Sequence, residues 1–298
     1  TVETADDLIA NLWEATKVAE EIIADEEIAD VQELFKEFNE LSVAFNETFK
    51  ELEELVTDKN FLDDLEIAQK EHAEFLEHAS RMHDAHMLEL EKEIKVKALM
   101  ETFEQVADHL GVILGEAAQD NEDDFKLSQD IADYDAVEAT MKLDILIGDA
   151  LETAREFLSL EDPDALPAIR KEFEVITAQS DEFEEQLKRS ANSPEERKTA
   201  QEIETIVDEF EGSTIDEDEL FDEYQEQLEA EFLADELAEK MEEDADAVAD
   251  AINVIVDAAD HVSDSADELA AERVGAARLY ISLSVAAAIL FGLGIAIY

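Results

Sequence analysis

The chain has 298 residues, with 83 Asp and Glu against 21 Lys and Arg, a net charge of −62 and 46% hydrophobic residues. Seven Gly, three Pro and no Cys are too few turn formers for a β protein and leave neither disulfides nor thiolate metal sites. So acidic a surface repels phosphate backbones and excludes nucleic acid as a partner, while the apolar content argues against disorder and fits a folded protein in high salt.

Leu8, Leu12, Ala15, Ala19 and Ile22 recur at three- and four-residue spacing, which predicts a helix from about Thr4 to Ala24. After the charged stretch Asp25–Asp30 a coiled-coil-like seam follows, Val31, Leu34, Phe38, Leu41, Phe45, Thr48, Leu52 and Leu55. The two pieces read as one long helix with a kink or stutter between them. From Phe61 to Ala118 the pattern is helical again, with a soft boundary expected near Met82–Met87. Gly111 and Gly115 loosen its end, and the polar run Ala117–Phe125 opens the clearest linker, residues 117–129.

From about Asp130 the chain repeats itself. Ala19, Glu21, Glu26, Lys36, Glu37 and Phe38 match Ala154, Glu156, Glu161, Lys171, Glu172 and Phe173 without a gap. Two units, 1–118 and 130–272, are the simplest account. The second is expected to hold a long helix from about Ile131 to Arg189 kinked at Pro163 and Pro167, a turn at Asn192-Ser193-Pro194, and a short helix ending at Gly212. An exit helix follows with strict heptads at Ala245, Val248, Ile252, Ile255, Ala259, Val262, Ala266 and Leu269. Residues 273–278 are juxtamembrane. Leu279–Tyr298 carries no charge and matches the length of a helix spanning a bilayer, with Tyr280 and Tyr298 near its ends. No Pro lies between Pro194 and Tyr298, so the exit helix is expected to be continuous with it. The start at Thr1 and the apolar finish are expected of a piece of a longer reading frame.

The exit helix running into ERVGAARLYISLSVAAAILFGLGIAIY, and AREFLSLEDPDAL at Ala154–Leu166, resemble the extracytoplasmic sensor of a bacterial methyl-accepting chemotaxis protein of the helical bimodular type. The resemblance implies an all-α fold of long antiparallel helices in two stacked four-helix bundles over residues 1–272, with one C-terminal transmembrane helix. It also implies a homodimer in the inner membrane, residues 1–278 periplasmic or extracellular, a bound small molecule, and a helix displacement passed to a cytoplasmic signalling domain. The helix carrying it would include Ile252, Ile255, Val262, Leu269 and Gly275, with Gly275 its one soft point. Input domains of sensor histidine kinases or cyclic-dinucleotide synthases are similar. The alternatives from other classes are a structural stalk or adhesion spacer, and a metal-carrying helical bundle.

Sensors of this type resemble receptors for small organic acids, which need Arg or Lys on an inward face. Arg155 lies beside the seam of Leu151, Ala154 and Leu158, and Arg81 is next to Met82, so these two are the candidate ligand contacts, each weighed against ordinary surface ion pairing. Lys92, Lys95 and Lys97 read as i,i+4 pairs with neighbouring Glu. Basic residues being scarce, an amine or cation suits the field better than an organic acid. His72, His78, His83 and His86 cluster in one stretch, where only His83 and His86 are close enough to share an ion and solvated surface is the competing reading. No phosphate loop, zinc-protease motif or nucleophile elbow is present, so neither a cofactor nor an enzyme activity is expected.

Overall fold

Apolar residues at helical spacing, with few Gly or Pro to interrupt them, give seven α-helices in the computed structural model, and no strand among the described residues. It describes residues 2–56, 61–128, 131–216 and 219–297, without the side chains of residues 125, 128, 132, 262–268, 272, 276–277 and 279–297. The helices are α1 (Val2–Ala24), α2 (Ile28–Leu55), α3 (Leu62–Ser128), α4 (Ile131–Phe157), α5 (Leu166–Ser190), α6 (Pro194–Ile215) and α7 (Leu220–Ile297).

Five boundaries differ from the sequence expectation. The predicted kink at Asp25–Asp30 is a break between α1 and α2, where the Glu27 N–H donates to Asp25 Oδ1 at 2.9 Å instead of to the preceding turn. The expected kinked helix from Ile131 to Arg189 is two helices, because Pro163 lies in the break and Pro167 opens α5, where its missing N–H costs nothing. No boundary interrupts α3 at Met82–Met87. The stretch read as a linker is helical to Ser128; its polarity reflects exposure, and it has no Gly or Pro beyond Gly115 to stop the helix. The turn at Asn192–Pro194 is as expected: Ser193 caps α6, its Oγ accepting from the Glu196 N–H at 3.1 Å while Glu196 Oε2 accepts from the Ser193 N–H at 3.2 Å. That helix runs on to Ile215, past Gly212.

The helices pack into two units. Unit 1 comprises residues 1–24, 32–80 and 237–298, and unit 2 residues 25–31 and 81–236. Unit 1 is four helical segments, from α1, α2, α3 and α7, whose Leu12, Ile22, Phe45, Phe75, Met241 and Ile252 are buried. Unit 2 draws on the first turn of α2 and on five further helices, α3 to α7, rather than the four expected, because the two proline-marked breaks fold its middle into separate α4, α5 and α6. Its centre is an aromatic cluster in which Phe103 stacks on Phe210 at 4.4 Å and Phe157 on Phe221 at 4.0 Å. These units do not coincide with residues 1–118 and 130–272, since α3 and α7 each contribute to both. The sequence repeat concerns ancestry, which packing does not address.

Among the described residues no helix is long and apolar enough to cross a membrane. The span expected at Leu279–Tyr298 lies outside the described side chains, and the backbone of α7 is helical as far as Ile297.

Candidate functional site

Arg155, in the last turn of α4, donates through Nε and Nη2 to Glu104 Oε1 of α3 at 3.2 and 2.6 Å. Its side chain is 58% exposed, so the pair stands in water and the guanidinium faces a carboxylate of the chain itself. Arg81 lies on an exposed face of α3. The expected i,i+4 pairing holds for Lys97 with Glu93 at 2.5 Å, whereas Lys92 and Lys95 reach across to α7. There both contact Glu223, at 3.0 and 2.9 Å, a carboxylate only 1% exposed, and Lys92 also pairs with Glu226. The sequence cannot show this, because the partners are well over a hundred residues apart.

The four histidines between residues 72 and 86 have four different environments. His72 is buried with its ring stacked on Phe45 at 3.8 Å, and burial lowers its pKa to about 4. His78 Nδ1 is 2.7 Å from Asp244 Oδ2 of α7. His83 Nδ1 lies 3.1 Å from Asp84. His86 is 3% exposed, with Nδ1 at 2.8 Å from Glu89 Oε2 and Nε2 at 2.9 Å from the Asp25 carbonyl. A carbonyl and a carboxylate both accept, so this geometry holds the doubly protonated imidazolium. The Glu89 hydrogen bond, opposed by burial and helped by the Asp25 carbonyl, raises the pKa accordingly. An imidazolium has no lone pair for a metal, so His86 in this state cannot share an ion with His83. Glu71, Glu74 and Asp244 do bring carboxylate oxygens within 4.8 Å of one another, but Lys70 already pairs with Glu71 and Glu74, each at 2.9 Å.

One candidate for a ligand is a cavity of about 250 Å³ in unit 2, where the last turns of α3 meet the turn between α5 and α6. Ala136, Leu187 and Ala200 form its buried floor, and Asp120, Asp124 and Glu195 its exposed rim. No Lys or Arg lines it. An apolar floor under a carboxylate rim accommodates an alkyl group carrying a positive charge and repels a free carboxylate. Sequence reading missed this site because the residues of α3 that shape it look like a linker. Neither Arg155 nor Arg81 lines it.

No protein-family model matches the chain, and no curated protein matches it. Among solved structures, the histidine kinase sensor TorS sensor domain of V. parahaemolyticus aligns with a TM-score of 0.67 at 13% identity, covering 86% of this chain and 99% of that one. The fold is similar to that of the TorS sensor domain. A chain of the TorS sensor domain–TorT complex, solved in the presence of TMAO, aligns with a TM-score of 0.60 at 14% identity, covering 84% of this chain and 98% of that one.

Within this TorS-like fold, α7 leaves the core gradually. Ile252 and Ile255 are buried at 0% and 2% exposure, whereas Leu269 is 57% exposed and Gly275 also faces solvent. A Cβ added at Gly275 meets no atom within 4 Å. The side chain of Val262 lies outside the described residues. The heptads predicted for α7 thus serve the core of unit 1 as far as Ile255, and beyond it the backbone continues as helix to Ile297.

Proposed function

We propose that this chain is the extracytoplasmic input module of a membrane receptor, a sensor histidine kinase in the first instance, and that it passes ligand binding to the cytoplasm through α7. The observation that carries the reading is the alignment with nearly the whole TorS sensor domain, together with a 78-residue α7 whose last part falls in the uncharged stretch Leu279–Tyr298. A helix without Pro transmits a shift or tilt at one end to the other. The chemoreceptor reading rests on the exit-helix resemblance alone. It shares the input mechanism and differs only in the output, so the structural neighbours favour the kinase. A purely structural stalk fits less well with the buried polar groups of unit 2, which regular spacer heptads do not need.

The acidic cavity favours a small organic cation, such as a primary or quaternary amine, over an organic acid. The complex containing TorT offers a second route, in which a partner protein carries the signal to a homodimer of this chain. Two experiments test the proposal. A cysteine at exposed Glu182, in a chain with none of its own, should react with a membrane-impermeant maleimide on intact cells. Residues 1–298 joined to the cytoplasmic part of a histidine kinase should drive a reporter when amines are added, and the response should disappear with Asp120→Asn and Glu195→Gln combined. Labelling only after lysis would refute the location. A response unaffected by the double substitution would refute the ligand site and leave the receptor reading standing.

A further inference from the structure

α5 and α6 lie side by side in opposite directions, as the pairs Ser180–Glu211 and Lys188–Glu204 show. Between them Glu184 is 6% exposed, and its Oε1 is fully buried with no hydrogen-bond partner. A lone carboxylate in such a place pays a large desolvation cost. The charged groups whose fields reach it are Glu211 and Asp208 of α6 and Asp181 and Lys188 of its own helix. Three of these four are negative, and the one cation is held by Glu185 at 3.1 Å and Glu204 at 2.7 Å. From α4, Leu146, Ile147 and Ala150 line the small void beside Ser180 and Glu211, and Lys142, paired with Glu138, lies over the ring of neighbouring Phe183 at 4.9 Å.

Ser180 shows how the charge is removed. Its Oγ lies 2.7 Å from the Thr177 carbonyl oxygen and 2.6 Å from Glu211 Oε1. A hydroxyl has one proton, and the carbonyl can only accept it. If that proton pointed at Glu211 instead, the Thr177 oxygen and Ser180 oxygen would meet lone pair to lone pair. The arrangement is satisfied when Ser180 donates to Thr177 and Glu211, as a carboxylic acid, donates to Ser180. The neighbouring void is too small for a water molecule, so a hydrated metal ion has no room there.

We propose that Glu184, Glu211 and Ser180 form a buried proton-binding site that holds α5 against α6 and releases the two helices when the proton is lost. Burial pushes both carboxyls up, Glu184 to about 7, so the site changes state in the range a cell surface meets. The two groups titrate as a pair. The site is independent of the receptor reading; within a receptor it makes the input sensitive to external pH.

The test uses the whole chain with cysteines replacing exposed Glu182 of α5 and Glu209 of α6, each carrying a spin label. The label separation should lengthen between about pH 5 and about pH 9 and should become insensitive to pH in Glu184→Gln/Glu211→Gln, which keeps the shape and donors of the protonated pair. Carboxyl carbon NMR of the unsubstituted chain should show a Glu that needs a proton concentration about three hundredfold lower than ordinary Glu to ionise. The proposal is overturned if every Glu signal titrates near about 4.3. It is equally overturned if the label separation is the same at both pH values, or if its change survives the double substitution.

Discussion

The two units bury polar groups in different ways. In unit 1 the buried polar side chains among the described residues are Thr16, Ser42 and His72. The two hydroxyls donate to carbonyls one turn back in their own helices, Leu12 at 3.0 Å and Phe38 at 2.9 Å, and His72 is neutral between phenyl rings. A cross-helix pair of ionisable groups there, His78 with Asp244, is only partly buried and each is the other's partner. Unit 2 also buries hydroxyls that donate within their own helices, such as Thr140, Thr153 and Thr214, but it adds three ionisable groups: Glu184, whose Oε1 has no hydrogen-bond partner, Glu223, paired with Lys92 and Lys95 of α3, and His86, held by the Asp25 carbonyl. A core held by apolar contact alone moves as a block, whereas one that contains ionisable groups can change its helix spacing when charge or ligand changes. In the proposed receptor, unit 2 is therefore the part suited to sensing, and unit 1 the part suited to transmission.

The contrast is broken most severely by opening the apolar core of unit 1. Phe75 is fully buried against Phe38, their ring centroids 5.7 Å apart, and Phe75→Ala should cost about 3–5 kcal/mol. Chemical denaturation should show that loss, and in a signalling chimera the output should become insensitive to ligand. Gly275→Pro is expected to act next. It removes one helical hydrogen bond and sets its ring against the Ala271 carbonyl, a local penalty of about 3 kcal/mol. Ligand affinity measured by calorimetry should stay unchanged while output is lost. Gly275→Ala, which meets open space, should instead stiffen the helix by about 1 kcal/mol and keep output intact.

pH should separate the units by sign. His72 in unit 1 has its folded pKa lowered to about 4 by burial, from an ordinary value near 6.5. Between those values the unfolded chain binds more protons, so this group's contribution to stability is lost as pH falls through that window. Glu184 in unit 2 is raised from 4.5 to about 7, so its contribution is present below 4.5 and lost as pH rises to 7 and beyond. Glu184→Gln should therefore stabilise the chain by about 2 kcal/mol at alkaline pH and have no such effect in acid. His72→Phe should do the reverse, flattening the acid limb by a similar amount. Denaturation midpoints measured across pH for both variants would decide it: slopes of the same sign would remove the electrostatic distinction between the units.

The helical class, the turn at Ser193-Pro194 and the heptads of α7 from Ala245 to Ile255 were legible in the sequence because periodicity and capping are local. The break at Asp25, the uninterrupted α3 and the separation of α4 from α5 were not read correctly. Acidic runs such as Gln119–Asp124 look the same on an exposed helix as in a linker. The site residues were harder still. The Glu223 pair with Lys92, the Asp25 carbonyl on His86 and the Glu184–Glu211 pair depend on which helix faces which. Among 83 acidic residues nothing in the sequence distinguishes the few that are buried.

The smallest effect is expected where the sequence placed most hope. Arg155 makes two hydrogen bonds to Glu104, yet both side chains are about half exposed and the solvent screens them. Arg155→Ala should cost less than about 1 kcal/mol, and the cost should shrink as salt is raised. If the arginine instead supports ligand recognition, the same substitution would weaken binding at least tenfold without a matching loss of stability. Calorimetry with amines and with small dicarboxylates on the Arg155→Ala chain separates the two. Unchanged amine binding would place recognition at the acidic cavity of unit 2 and reduce the α4 arginine to surface pairing, whereas lost dicarboxylate binding would return the ligand to the α3–α4 surface.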